Sequence, residues 1–181
     1  MGGEKSAMPT PASRQSLPCS WPDPPLRIAL VEPEIPPNTG NIARLCAATG
    51  TKLHLVGKLG FELTDAALKR AGLDYWNAVQ MASHENFETF RQSISPARFY
   101  FFSTKARKSY TDALYLPGDV LVFGCETRGL PDDILESNRG ALLGIPIQTR
   151  HVRSLNLATA AGIVLYEALR QISHGVTAST G

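Results

Sequence analysis

Short apolar runs alternate along this chain with longer segments that are apolar on one side. The runs are Leu26–Val31 (LRIALV), Leu53–Val56 (LHLV), Arg98–Phe102 (RFYFF), Asp119–Phe123 (DVLVF) and Ala141–Ile145 (ALLGI). Each is too short for a stable helix and is bounded by glycine, proline or polar residues, so each reads as a buried strand. Ala78–Ala82 is a further, shorter candidate. Between the runs the period becomes helical. Asn38 or Thr39 can cap a helix in which Ile42, Leu45, Cys46 and Thr49 recur at i, i+3, i+4 and i+7, closed by Gly50. The prolines of Glu32–Pro37 (EPEIPP) are expected to keep that stretch out of helix and sheet alike.

Further helices are expected from Thr64 to Arg70, broken by Gly72–Trp76 (GLDYW), and from His84 to Ile94 through Phe87, Phe90 and Ile94. Ser103–Tyr110 (STKARKSY) reads as a polar, basic loop. Pro131 lies near the first turn of a helix to Ser137. The longest element, Asn156 to Ile172, is apolar on more than one side, and a basic turn with Arg150, His151 and Arg153 leads into it. Continuous apolar strands separated by helices indicate an α/β fold, a doubly wound, mostly parallel sheet covered on both faces. Ligands in such sheets gather at the carboxyl ends of strands. The loops after Val31, Phe102, Phe123 and Ile145 lie there.

Composition narrows the class. With 181 residues, 43% of them hydrophobic and 19% charged, the chain is most simply one domain with a real core. A net charge of +2 is too small to argue for nucleic acid, so RNA contacts must come from local clusters. Residues 1–25, rich in proline and serine without apolar periodicity, read as a disordered extension, and 176–181 as a disordered tail. The extension lacks the apolar core of a secretory signal. No run approaches the ~20 apolar residues that span a bilayer, so no membrane partner is expected. Cys19, Cys46 and Cys125 lie far apart, with no CxxC or zinc spacing. Neither a disulfide framework nor a metal site is expected, and a reducing, cytoplasmic setting is the default.

Two loops carry candidate chemistry. Asn38–Cys46 (NTGNIARLC) places Gly40 and two asparagines at a helix start, which suits close approach of an anion or a sugar. Arg44 lies one turn in; an ordinary capped helix with a solvated arginine fits equally well. Gly124–Pro131 (GCETRGLP) brackets Glu126 and Arg128 with glycines. Glu126 could accept from a ribose or amine and Arg128 could meet a phosphate, or the two could simply pair. Cys125 has no histidine near it in sequence and reads as a small buried thiol. Lys105, Arg107 and Lys108 suit backbone phosphates or plain solvation. His54 and His84 read as structural or surface residues. The chain has no GxGxxG, no GxxxxGK[ST] and no GxSxG, which disfavours a nicotinamide enzyme, a nucleotide hydrolase or an α/β-hydrolase.

Together NTGNIARLCA, FGCETRGLP and IPI…VRSLNLATAAGIVLYEALRQ resemble the three-motif pattern of the SpoU branch of SPOUT RNA methyltransferases. Glu32–Gly50 and Lys69–Trp76 are similar to the small enzymes that methylate the ribose 2′-oxygen of cytidine or uridine 34 in tRNA. The resemblance covers Leu26 to Gly175, the expected methyltransferase domain 26–175. It implies a C-terminal segment threaded into a deep trefoil knot, S-adenosyl-L-methionine as cofactor and a homodimer built on the first and last helices. It implies a cofactor pocket made by Phe102, Ser103, Thr104, Gly124, Glu126, Ile145, Ser154 and Leu155. It implies catalytic roles for Arg44, Ser154 and Asn156, with Tyr166 orienting the ribose or packing at an interface. Tethering of tRNA falls to Arg44, Lys105, Arg107, Arg128, Arg150, His151 and Arg153. A guanidinium stays protonated near neutral pH, so Arg44 is read as a phosphate clamp and stabiliser of developing negative charge rather than a base. The chain departs from the pattern in its last turn. QTRHVRSLN carries an extra residue, Val152 replaces a small polar residue, and Cys125 stands where proline is common. The same resemblance leaves room for another tRNA or rRNA site, or for a cofactor-holding RNA-binding protein without turnover.

Overall fold

The structure is a computed structural model that describes residues 17–62, 79–149 and 151–175. One sheet organises it. Its strands are β1 (Arg27–Val31), β2 (Lys52–Val56), β3 (Met81–His84), β4 (Phe99–Phe102), β5 (Lys108–Ser109), β6 (Val120–Phe123) and β7 (Leu142–Gly144). They lie in the order β3-β2-β1-β6-β4-β7-β5, and every pairing is parallel. Helices α1 (Pro36–Thr49) and α4 (Leu157–His174) cover one face; α2 (Phe87–Ser93) and α3 (Asp132–Ser137) pack on the other.

Covered faces explain the continuous apolar runs. Ile28, Leu30, Leu53, Leu55, Leu121 and Phe123 point toward α1 and α4, where Ile42, Cys46, Val164, Leu165 and Leu169 meet them. Ala29, Val31, Val56, Phe101, Val120 and Val122 point to the other side, against Phe90, Ile134 and Leu135. Burial in this core pushes the Cys46 thiol up to about 12.

Three expectations change. The first helix begins at Pro36, not after Asn38, because Pro36 and Pro37 occupy first-turn positions whose amide hydrogens have no helical partner to lose. Asn38 is therefore inside the helix and buried. The strand sought at Ala78–Ala82 is Met81–His84, aligned by pairing of Leu53 with Met81. The basic loop contains strand β5, whose two residues have no apolar pattern and are held only by pairing with β7. The helix expected over 64–70 and its break over 72–76 lie outside the described residues.

The pairing order has a topological consequence. β7 lies between β4 and β5, so residues 103–107 carry the chain from β4 to β5 across β7. Ser103 N donates to Leu143 O at 3.0 Å. The strap passes over Gly144, where an added Cβ would lie 3.4 Å from Ser103 O and 3.5 Å from the Ala106 Cβ. Among the described residues no helix is long and apolar enough to cross a membrane, and no group of three His, Cys, Asp or Glu could hold a metal ion.

Candidate active site

A cavity of ≈ 530 Å³ opens at the carboxyl ends of β4, β6 and β7. Phe102, Ser103, Thr104, Gly124, Glu126, Ile145, Ser154 and Leu155, the residues assigned to a cofactor from sequence, all line it. Lys105, Arg128, Arg153 and Asn156 line it as well. Arg107 lies on a neighbouring cleft. Arg44, His151 and Tyr166 are not part of the cavity wall, and Arg150 lies outside the described residues. Arg44 is exposed on α1 and Tyr166 is 56% exposed on α4, two helices that pack against each other.

The loop after β6 is drawn tight by its glycines. A Cβ on Gly124 would stand 2.0 Å from the Gly129 carbonyl carbon, so only glycine lets this loop close on itself. Gly129 N donates to Cys125 O at 2.9 Å, which completes the closure. Cys125 is buried, with Sγ 3.6 Å from Gly129 O. The backbone of this loop therefore forms one cavity wall.

One polar chain joins the three motif segments. The Glu126 carboxylate accepts from Glu34 N (2.8 Å), Ile35 N (3.2 Å) and Asn38 Nδ2 (2.8 Å). Asn38 Oδ1 in turn accepts from Asn156 Nδ2 at 2.8 Å. Asn156 Oδ1 caps α4, accepting from Ala158 N at 2.9 Å and Thr159 N at 3.2 Å. Thr127 Oγ1 donates to Glu34, and this bond chiefly holds the Glu34 carboxyl below its usual value. Arg128 pairs with Glu32 at 3.4 Å, so the Glu126–Arg128 pair allowed by the sequence does not form. Glu32 adopts a left-handed φ of 50°, which is strained for a residue with a Cβ. Lys105 pairs with Asp132 at 2.9 Å.

The sequence offered Asn38 as a helix cap and as part of a helix start open to an anion or a sugar, but not as the joint of this network. Its partners lie 88 and 118 residues away, and no local spacing marks them. Glu34 and Thr127 were missed for the same reason, being 93 residues apart.

A parallel α/β sheet with a strap across an inner strand, and a cavity walled by that strap and two glycine- and serine-containing loops, defines the class. The chain belongs to the SpoU rRNA Methylase family, whose model matches residues 25–166. A tRNA (cytidine(34)-2′-O)-methyltransferase of Saccharophagus degradans is 49% identical over 146 residues, 80% of this chain and 94% of that one. A solved structure concerned with 2-OH methylation of C/U34 on tRNA is 47% identical with a TM-score of 0.75, covering 81% of this chain and 95% of the other. An AdoMet-bound rRNA methyltransferase from Sinorhizobium meliloti is 31% identical with a TM-score of 0.71, covering 84% of this chain and 57% of the other.

Proposed function

We propose that this chain transfers a methyl group from S-adenosyl-L-methionine to the ribose 2′-oxygen of the wobble nucleotide, cytidine or uridine 34, of a tRNA. The observation that carries the reading is the Glu126–Asn38–Asn156 chain, which joins all three motifs beside one cavity. Relatives at this level of identity, spanning nearly their whole length, support the substrate and the position.

The residues present suit the cofactor. The cavity of ≈ 530 Å³ is of the size that takes a nucleoside-sized ligand, and the backbone of the loop from Gly124 to Leu130 lies on its wall, where an adenine edge would meet it. Phe102, Ile145 and Leu155 supply apolar wall, and Ser103, Thr104 and Ser154 supply hydroxyls. When bound, the sulfonium supplies an electrophilic methyl group. The chain's own part is positioning. Glu126, Asn38 and Asn156 fix the loop, the helix start and the α4 cap relative to one another. Ser154 and Arg153 line the cavity next to Asn156. Arg44 clamps the target phosphate and stabilises negative charge growing on the ribose oxygen. Holding that oxygen in line with the methyl contributes much of the rate. Lys105, Arg128, His151 and Arg153 extend the tRNA contact.

The same reading includes a homodimer and a knotted C-terminus. Gly162, Ile163 and Tyr166 form a side of α4 away from its buried Val164–Leu165–Leu169 face, and a second copy would cover it. Tyr166 and the exposed Arg44 would then meet the partner's cavity. The strap of residues 103–107 across β7, with α4 returning to the opposite face, is the arrangement a trefoil knot requires. The tRNA substrate and the free thiols Cys19, Cys46 and Cys125 fit a reducing, cytoplasmic setting.

The test is labelled-methyl transfer to total tRNA, followed by mapping of the modified nucleotide. Label on ribose 34 is expected; label at another position, or tRNA binding without label, overturns the reading. Arg44→Ala should lower transfer by ~100-fold or more while cofactor binding survives, since the lost charge stabilisation belongs to the transition state. Loss of cofactor binding in that variant would remove the role given to Arg44.

A further inference from the structure

Beside the cofactor cavity lies a second cleft of ≈ 570 Å³. The two share Ser103, Thr104, Ile145, Ile147 and Arg153 as a common wall. Three cations, Arg107, Lys108 and Arg153, line the second cleft, and among the described residues its lining contains no carboxylate. Among the described residues none of the three has an ion-pair partner. Asp112, on the turn after β5, is engaged in accepting from Ser109 N at 3.0 Å. Ser109 and Thr149 add hydroxyls, and Pro146 and Val152 add apolar surface. Val152 is 50% exposed and gives a ribose or base an apolar surface to rest on.

We propose that this cleft holds a phosphate of the substrate RNA next to the nucleotide being methylated, with the adjoining sugar or base against Val152. The proposal rests on the reading of the chain as an RNA methyltransferase. It deepens that reading by assigning the neighbouring nucleotide to Arg107 and Lys108, which do not line the cofactor cavity, together with the shared Arg153. Unpaired cations on a groove free of acids form the electrostatic footprint of a polyanion. The shared wall places the phosphate within a nucleotide's reach of the cofactor cavity.

Direct binding of tRNA to the full chain across a salt series tests this without reference to turnover. Arg107→Ala and Lys108→Ala should each weaken tRNA binding ~10-fold at low salt and flatten the plot of log affinity against log salt by about 1. Arg107→Lys should recover most of the loss. Affinity for S-adenosyl-L-methionine and the melting temperature should stay as in the unmodified chain. Unchanged tRNA affinity and slope in both alanine variants would overturn the proposal. So would loss of cofactor affinity, because the residues would then belong to the cofactor cavity. Competition separates the two sources of phosphate. A short oligoribonucleotide should compete with tRNA while inorganic phosphate and a mononucleotide should not. Equal competition by inorganic phosphate would mark a free-anion site and sink the proposal. Methyl label away from ribose 34 together with the expected binding losses would remove the functional reading and leave this site standing. Label on ribose 34 with unchanged binding would do the reverse.

Discussion

Single positions here are decided by space and charge more than by residue type. Gly124 is the sharpest case, because the atom that alanine would add falls 2.0 Å from backbone that cannot move alone. Gly124→Ala should cut cofactor affinity by at least about 100-fold, the equivalent of roughly 3 kcal/mol of displaced loop. Calorimetry would check this, and near-normal affinity would show that the loop opens freely. The histidines offer a pH test. His54 is 7% exposed, shares a 3.0 Å hydrogen bond with His84, and packs on Phe90. Its Nε2 is buried without a hydrogen-bond partner among the described residues. Burial, reinforced by the neighbouring His84, lowers its pKa to about 4, and burial also lowers that of His84. Unfolded histidines take up protons near pH 6.5, whereas folded His54 does so only near 4. The resulting stability is full above pH 6.5 and is lost as pH falls toward 4, by on the order of 2–3 kcal/mol from His54. Urea midpoints at pH 7 and 4.5 should therefore diverge more in the unmodified chain than in His54→Phe. Both histidines read as structural or surface residues from sequence; their pairing across β2 and β3 was not legible, because it depends on strand register.

Elements were the most legible level, and their ends the least. The cores of the long strands and the apolar stripe of α1 follow from periodicity, which reports burial directly. The start of α1 does not, because proline breaks helices in the interior and begins them at the first turn. The amino ends of β4 and β6 are tied by a pair that no pattern shows. Arg98 Nε and Nη2 donate to both Asp119 oxygens at 2.8 and 2.6 Å, and Asp119 Oδ2 also accepts from Leu116 N at 2.7 Å. Asp119 is buried, so removing its cation strands a carboxylate in the core. Arg98→Ala should cost about 2–4 kcal/mol in urea unfolding, somewhat less than a fully buried pair because Arg98 is half exposed. Cofactor binding should be unaffected, since the pair sits at the end of the sheet away from the cavity. A shift below ~0.5 kcal/mol would mean water reaches Asp119 once Arg98 is gone.

For the whole molecule the question is whether one copy suffices. Arg44 and Tyr166 do not line the cavity of their own chain and lie on helices that pack side by side. If a second copy completes the site, Tyr166→Asp should convert dimer to monomer in light scattering and abolish transfer together. Mixing inactive Arg44→Ala and Ser154→Ala chains should restore part of the activity, and no recovery would make each copy self-sufficient. What the sequence determined by itself was local: which runs are strands, which helix sides are apolar, and that three motifs fall at strand ends. Those follow from side-chain volume, polarity and period, which neighbours in sequence share. The tertiary structure alone decided that Asn38 joins Glu126 to Asn156 and that Arg128 turns to Glu32. It alone decided that β7 runs beneath the strap from β4 to β5. These depend on sheet order and on contacts between residues some ninety to a hundred and twenty positions apart, and hydrophobic periodicity carries no record of which strands become neighbours.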